Sequence, residues 1–492
     1  MPIRVAIIGA GSVGFTRKLF RDILSVSELR DTHFSFTDIS SRNLELVSQL
    51  CDKDLVRNEL PASLSTTTDR REALKDADYV INCSRIGGLE AFKHDIEIPL
   101  KYRVDQCIGD TICAGGIMYG QRNIPQILAF CEDIKKSAKP DALFLNYANP
   151  MAMNTWAGIE FAGARMLGLC HGVRHGWEQI AELLGAERTE DVRIVAAGIN
   201  HQTWFIRIEH NGRRVSGQEL LVAFENHPEF SKTEKVRIDV LWRFGYYSTE
   251  SNGHLSEYLP WYRKRPHEIS EWIDMSKWIN GETGGYLRVS AESRDWFETD
   301  YPKWLAADDP PIAPQGRSTE HASFIIEAIE TGRTYRGHFN TRNGGTITNL
   351  AEDAIVEVPG YVDGLGVHIP RVGDLPLACA ATCTASIDVQ RMATRAALDG
   401  DLTLLKQAML HDPLIGAVCN PEEVWRMTDE MLVAQAEWLP QYANEIDGAK
   451  RRLAEFGPRD GSDGAGAARI PTRSIEEIRA SGEQVKGTPL RV

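Results

Sequence analysis

Three observations predict an α/β fold. An apolar run, IRVAIIG (residues 3–9), turns directly into Gly9-x-Gly11-x-x-Gly14 and then into a helical pattern. An alternating run, HFSFTDIS (33–40), carries Asp38 near its end, 24 residues past Gly14. Two more apolar segments, DADYVINC (76–83) and ALFLNYANP (142–150), end in polar, loop-forming residues. Strands that alternate with helices in this way build a parallel, doubly wound sheet. The expectation is a Rossmann-type dinucleotide-binding domain, like that of lactate and malate dehydrogenases, over residues 1–200. A mixed α+β domain carrying substrate and metal groups should fill 201–450, and a flexible tail 451–492. Chains of 492 residues ordinarily divide in this manner.

Composition narrows the function class. Apolar content of 42% and charged content of 25% are ordinary for a soluble globular protein. No stretch reaches eighteen consecutive apolar residues, so no membrane span is expected. The N-terminal apolar run meets a glycine loop with no small-residue cleavage pattern, which reads as a buried strand rather than a signal core. A cytoplasmic protein is the expectation. Nine cysteines, an odd number scattered from Cys51 to Cys419, fit free thiols in a reducing compartment. A net charge of −14 argues against a nucleic-acid surface.

The first element is the cofactor loop. Gly9, Gly11 and Gly14, with Ser12 and Val13 between them, permit a tight turn and bring backbone N–H groups to a pyrophosphate at a helix N-terminus. Asp38 is placed to accept bonds from an adenine ribose, which favours NAD over NADP. Ligands of open α/β sheets sit beyond the carboxyl ends of strands, so Ser84, Arg85 and Asn149 point at the cofactor and substrate cleft. Asn149 also reads as a turn residue before proline. The glycine-rich Gln106–Gly120 stretch is read as a loop over the nicotinamide, with Cys107 and Cys113 as buried thiols.

Next comes LGLCHGVRHGWEQIAELLGAERTEDVRIVAAGINHQTW (167–204). Cys170 stands beside His171 and near His175, and after a helix an apolar run reaches Asn200 and His201. If those ends meet, a sulfur and an imidazole face one divalent ion; taken separately, each reads as packing. The Trp242–Lys264 segment is too polar and aromatic to be plain core, and holds Glu250, His254 and Tyr258. A proline-bearing loop and an amphipathic helix follow over 300–335, then a strand-rich stretch over 336–369. Apolar residues at helical spacing fill 385–445, where Met and Trp are packing residues.

Taken together, GAGSVGFTRKL, Asn149-Pro150-Met151, Cys170-His171-Gly172, AGINH with Trp204, and the 343–369 stretch NGGTITNLAEDAIVEVPGYVDGLGVHI resemble glycoside hydrolase family 4. The resemblance runs from about residue 3 to about 440. It implies NAD and Mn²⁺, or another divalent metal, and an exception to the usual two-carboxylate glycosidase mechanism. The implied course is oxidation at the sugar's C3, metal-assisted deprotonation at C2, elimination of the aglycone, water addition and re-reduction. By the same resemblance Cys170 and His201 match metal ligands, and Asn149 a substrate contact. Asp110, Glu250 and His254 are expected at the substrate. Tyr258 is the best positional match for the base, with Glu250 and His254 as alternatives. Phosphoglucosidase members carry an aspartate where His171 stands, so His171 becomes a candidate acid.

TESNGHLSEY, Cys-His-Gly and CIGDT resemble the α-galactosidase branch. The expected substrate is therefore a small α-galactoside, with α-glucosides, α-glucuronides and 6-phospho-α-glycosides as related alternatives. An NAD-dependent dehydrogenase without glycoside cleavage is the rival from another class. Arg85, Lys93, Arg263 and Lys264 are the cations that a phosphate pocket would need. A homo-oligomer, dimer or tetramer, is expected from the resemblance.

Overall fold

The protein is described here from a computed structural model, which covers residues 2–275, 281–456 and 466–481. Six strands form the parallel half of one sheet: β1 (Arg4–Ile8), β2 (His33–Thr37), β3 (Ser63–Thr67), β4 (Tyr79–Asn82), β5 (Leu143–Asn146) and β6 (Met166–Gly168). Their spatial order is β3-β2-β1-β4-β5-β6, every pairing parallel. The order reverses between β1 and β4, and ligands of doubly wound sheets bind at that reversal.

The sheet then continues antiparallel through β7 (Val192–Ile199), β8 (Gln202–His210), β9 (Arg213–Arg214), β10 (Tyr247–Ser248), β11 (Tyr335–Arg342), β12 (Ile355–Asp363) and β13 (Gly366–His368). Beyond β6 the order is β11-β12-β7-β8-β10, with β13 on β12 and β9 on β8. The sheet runs unbroken past residue 200, because β7 pairs with β8 on one side and β12 on the other.

Alternation along the parallel strands sorts side chains into two cores. Val5 and Ile7 of β1 join Phe34, Phe36 and Ile81 on one face, while Ala6 and Ile8 join Val80 and Phe144 on the other. Both faces are covered, as a parallel sheet requires. The Val13–Leu24 helix covers the first core with Leu19, Phe20 and Ile23, and the Cys113–Ser137 helix covers the second with Ile117, Ile124 and Ile127. Among the described residues no helix is long and apolar enough to cross a membrane.

Two expectations change. From Cys113 the supposed Gln106–Gly120 loop is already helix, continuing to Ser137. Its glycines serve close packing: a Cβ on Gly115 would meet the Gly109 carbonyl oxygen at 2.3 Å, and one on Gly116 the Thr111 carbonyl carbon at 2.4 Å. The 106–112 loop lies directly on that helix. The tail differs as well. The Ala443–Phe456 helix crosses residue 450, and 466–481 rest on the body. Ala467 N–H donates to Asp105 at 3.4 Å, and Arg473 pairs with Glu292 at 3.1 Å. Residues 457–465 and 482–492 of the expected tail lie outside the described residues.

Candidate active site

The carboxyl end of β6 delivers Cys170 and His171, and the Gly172–Leu183 helix starts immediately after them. The Gly172 N–H points at Cys170 Sγ at 3.4 Å, the orientation that favours a thiolate at a helix start. His201 comes from the turn between β7 and β8, where Ile199 pairs with Gln202 across Asn200 and His201. His201 holds φ +62°, a left-handed conformation that costs about 1 kcal/mol or more in a residue with a Cβ. Glu250 follows β10. A Cβ on Gly172 would lie 3.1–3.3 Å from the Glu250 carboxylate, so the glycine leaves room for that acid.

These three elements bring Cys170, His201 and Glu250 together. One donor atom from each lies within 4.8 Å of the other two, and all three residues are buried. His201 Nε2 stands 3.0 Å from Glu250 Oε2, yet without hydrogen-bond alignment, and neither Glu250 oxygen has a hydrogen-bond donor. A buried carboxylate without donors is costly unless a cation satisfies it. Burial drives the Cys170 thiol well above its usual range, with Glu250 and Glu357 adding to the shift. Burial likewise raises Glu250 and depresses His201 far below the ordinary imidazole range. Sulfur, imidazole nitrogen and carboxylate form a donor set that fits a divalent transition metal, and a thiolate is unusual for Mn²⁺.

The metal corner opens on a cavity of about 790 Å³ that reaches Ser12 of the glycine loop. Ser84, Arg85, Asp110, Asn149, His171 and His254 line it with the three donors. The loop fits a dinucleotide cradle. Gly9 has φ +81°, and a Cβ there would meet the Ser84 nitrogen at 2.7 Å. A Cβ on Gly11 would strike the Asp38 carboxylate at 2.8 Å. Asp38 accepts from the Gly11 and Ser40 N–H groups at 2.8 and 2.9 Å, and keeps acceptor sites for a ribose. Gly11, Ser12, Val13 and Gly14 also border a second cavity, about 300 Å³, against Arg42, Asn43 and Trp296.

On the substrate side, Asn149 Nδ2 donates to both Asp110 oxygens at 3.2 Å, and Thr111 Oγ1 to Asp110 Oδ1 at 2.8 Å. Arg85 stands 3.9 Å from Asp110, its guanidinium packed over Phe92, Tyr119 and Tyr286. His171 lines the cavity with Nε2 buried and unpartnered. Burial, then His175 and Lys18, hold its imidazole well below its usual range. An acid of that kind is poorly charged at neutral pH.

Tyr258 is not delivered to the cavity. It is fully buried at the end of the Asn252–Tyr258 helix, its hydroxyl donates to the Asn200 carbonyl at 3.1 Å, and burial pushes it well above the usual phenol range. On this helix His254 faces inward, and Tyr258, one turn on, falls behind it. His254 touches the cavity but also backs His201, Nε2 to Nδ1 at 2.7 Å. Glu250 was expected at the substrate and stands among the metal donors. Sequence reading missed Glu257, which accepts from His254, although their i, i+3 spacing in a helix was a usable cue. Arg317, Glu320 and His321 stay outside the cavity lining, with His321 Nε2 2.9 Å from the Cys170 carbonyl oxygen.

Comparison with known proteins bears on this geometry. The family model described as family 4 glycosyl hydrolase matches residues 4–186, and that of the family 4 glycosyl hydrolase C-terminal domain matches 196–415.

The chain belongs to glycoside hydrolase family 4.

Within family 4, an α-galactosidase of Rhizobium meliloti (strain 1021) is 63% identical over 98% of this chain and 98% of its own length. An α-galactosidase of Bacillus subtilis (strain 168) is 32% identical over 89% and 99%. The 6-phospho-β-glucosidase of Thermotoga maritima, solved with manganese, NAD⁺ and glucose-6-phosphate, superposes with a TM-score of 0.72 at 26% identity, covering 89% of this chain and 99% of that one. Of the four cations that a phosphate pocket would recruit in this family 4 member, only Arg85 lines the cavity. Lys93 faces solvent beside Glu97, Arg263 is buried against Asp105, and Lys264 lies outside the lining.

Proposed function

We propose that this chain hydrolyses small, unphosphorylated α-galactosides with NAD⁺ and a divalent metal such as Mn²⁺. The observation that carries the proposal is one cavity that runs from Ser12 of the glycine loop to the Cys170–His201–Glu250 corner. Such a cavity serves a glycosidase that passes through an oxidised sugar, whereas a lactate- or malate-type dehydrogenase needs only a base and an arginine clamp. When bound, NAD⁺ supplies a reversible hydride acceptor, and the metal supplies a Lewis acid at the sugar oxygens.

The remaining work falls to side chains of the chain. Arg85 and Asn149 hold sugar hydroxyls and aim the ring. Asp110, held between Asn149 and Thr111, is the carboxylate best placed to take the C2 proton once Tyr258 is set aside. His171, neutral and with an unpartnered Nε2, faces the glycosidic oxygen and steers the leaving group outward. The cavity continues on that side past His175 to Glu178, Gln179 and Glu182, beside Arg237, where polyhydroxylated aglycones find hydrogen-bond partners.

The test is a panel of p-nitrophenyl α-galactoside, α-glucoside, α-glucuronide, α-galacturonide and 6-phosphate analogues, each with and without NAD⁺, Mn²⁺ and thiol reductant. The α-galactoside should be cleaved fastest, and only with both cofactors. Cleavage that survives removal of both overturns the mechanism. Net NADH formation without glycoside cleavage would establish a dehydrogenase instead, and preference for a 6-phosphate would move the substrate to the phospho-glycosides.

A further inference from the structure

The metal corner is backed by three buried side chains that decide which nitrogen of His201 is free. His201 Nδ1 lies 2.7 Å from His254 Nε2 and 3.1 Å from Thr111 Oγ1. His254 Nδ1 lies 2.8 Å from Glu257 Oε2. The other Glu257 oxygen accepts three consecutive backbone N–H groups, from Cys107, Ile108 and Gly109, at 2.7, 3.0 and 3.2 Å.

A carboxylate held by three amides only accepts, so His254 donates to it through Nδ1. Burial lowers and Glu257 raises the His254 pKa, with a net rise; in its uncharged form the remaining nitrogen, Nε2, is an acceptor and takes the His201 Nδ1 proton. Thr111 agrees with this direction. Its hydroxyl proton goes to Asp110, leaving only a lone pair for His201. With its proton fixed on Nδ1, His201 presents the Nε2 lone pair to the space it shares with Cys170 and Glu250. The 107–109 segment held by Glu257 leads directly into Asp110, which lines the cavity.

We propose that Glu257 is the positioning residue of the metal site. Through His254 it sets the His201 tautomer, and through the 107–109 amides it ties that tautomer to the loop presenting Asp110. The proposal rests on the reading of Cys170, His201 and Glu250 as metal donors. A metal-binding imidazole ordinarily gives its second N–H to an acceptor, and losing that partner costs about ten- to a hundredfold in metal affinity.

Glu257→Gln separates tautomer from packing. The glutamine oxygen still accepts the three amides, but its NH₂ now faces His254 Nδ1. His254 must then accept there and donate through Nε2, which leaves the His201 proton on Nε2, where the metal would bind. Mn²⁺ alone is titrated into the metal-free full-length protein by calorimetry, beside wild type and Cys170→Ser. E257Q should bind Mn²⁺ about ten- to a hundredfold more weakly, with NAD⁺ affinity and melting temperature unchanged.

Should E257Q fail to fold, His254→Gln and His254→Leu make the same comparison, since glutamine restores an acceptor for His201 and leucine does not. H254Q should retain Mn²⁺ affinity and H254L should lose it. E257Q within twofold of wild type, or H254Q and H254L binding alike, overturns the positioning role. C170S binding Mn²⁺ as tightly as wild type overturns the metal reading beneath it.

Discussion

Asp110 and Glu357 are two buried carboxylates near the same metal corner, and their surroundings give them different work. Asp110 faces the cavity between Asn149 and Thr111. A base at that position contributes about 10²–10⁴ in rate. Asp110→Asn should therefore lower kcat by that order while Mn²⁺ and NAD⁺ still bind, and should abolish the exchange of the sugar's C2 hydrogen with deuterated solvent. Exchange at the wild-type rate would return the base to another group. Glu357 faces inward from β12, and burial, helped by Glu250, pushes it up to about 8. Its folded pKa thus exceeds its unfolded one, so the folded state holds an extra proton between about pH 4.5 and pH 8. Stability from this group falls across that window by roughly 1.4 kcal/mol per pH unit and is flat on either side. Glu357→Gln removes the slope, so its melting temperature should gain on wild type from pH 5 to pH 8 and run parallel above pH 9. A constant gap over the window rules out the buried proton. Residue types were legible at this scale, and directions were not. Cys170, His201, Glu250 and Tyr258 all stood out in the sequence, but only the structure shows that Tyr258, on the same helix face as His254 and one turn on, lies beyond the cavity lining and bonds the Asn200 carbonyl.

Elements explain why some motifs read cleanly and others misled. The glycine loop was legible because every part of it is local: strand, turn and helix follow within a few residues. Gly9→Ala tests that cradle. It places a Cβ at φ +81°, 2.7 Å from the Ser84 nitrogen, so the loop and the end of β4 must separate. NAD⁺ should bind at least about tenfold more weakly, in line with 1–2 kcal/mol of left-handed strain, while Mn²⁺ affinity holds. Unchanged NAD⁺ affinity by calorimetry would remove Gly9 from the cradle. The Gln106–Gly120 glycines misled because their reason is not local. Gly115 and Gly116 are small to let residues 109–111 lie on the helix, and sequence shows only composition there. Asn200-His201 lies between these cases. The apolar run before it was visible, but that it turns a hairpin with His201 left-handed depends on β8 and β12.

At the scale of the molecule, the two halves of the sequence cannot separate without tearing one sheet. β6, the last parallel strand, pairs with β11, where Asn340 meets Gly168, and β7 pairs with β12, where Glu357 meets Gly198. One apolar core takes in Ala6, Ile117, Val358, Met427 and Ala449, and the Leu377–Asp399 helix packs on Cys113–Ser137. This interleaving joins residues far apart in sequence, which is why a division near residue 200 looked natural in the chain and leaves no break in the sheet. Cofactor loop and metal corner thus belong to one cooperative unit. Unfolding should follow a single transition, with fluorescence and near-ultraviolet dichroism curves that coincide. NAD⁺ at a hundred times its Kd should raise the stability of that whole transition by about 2.7 kcal/mol, and Mn²⁺ should act on the same transition. Two resolved transitions, with NAD⁺ moving one and Mn²⁺ the other, would mean that the sheet breaks between β6 and β11 before the rest unfolds.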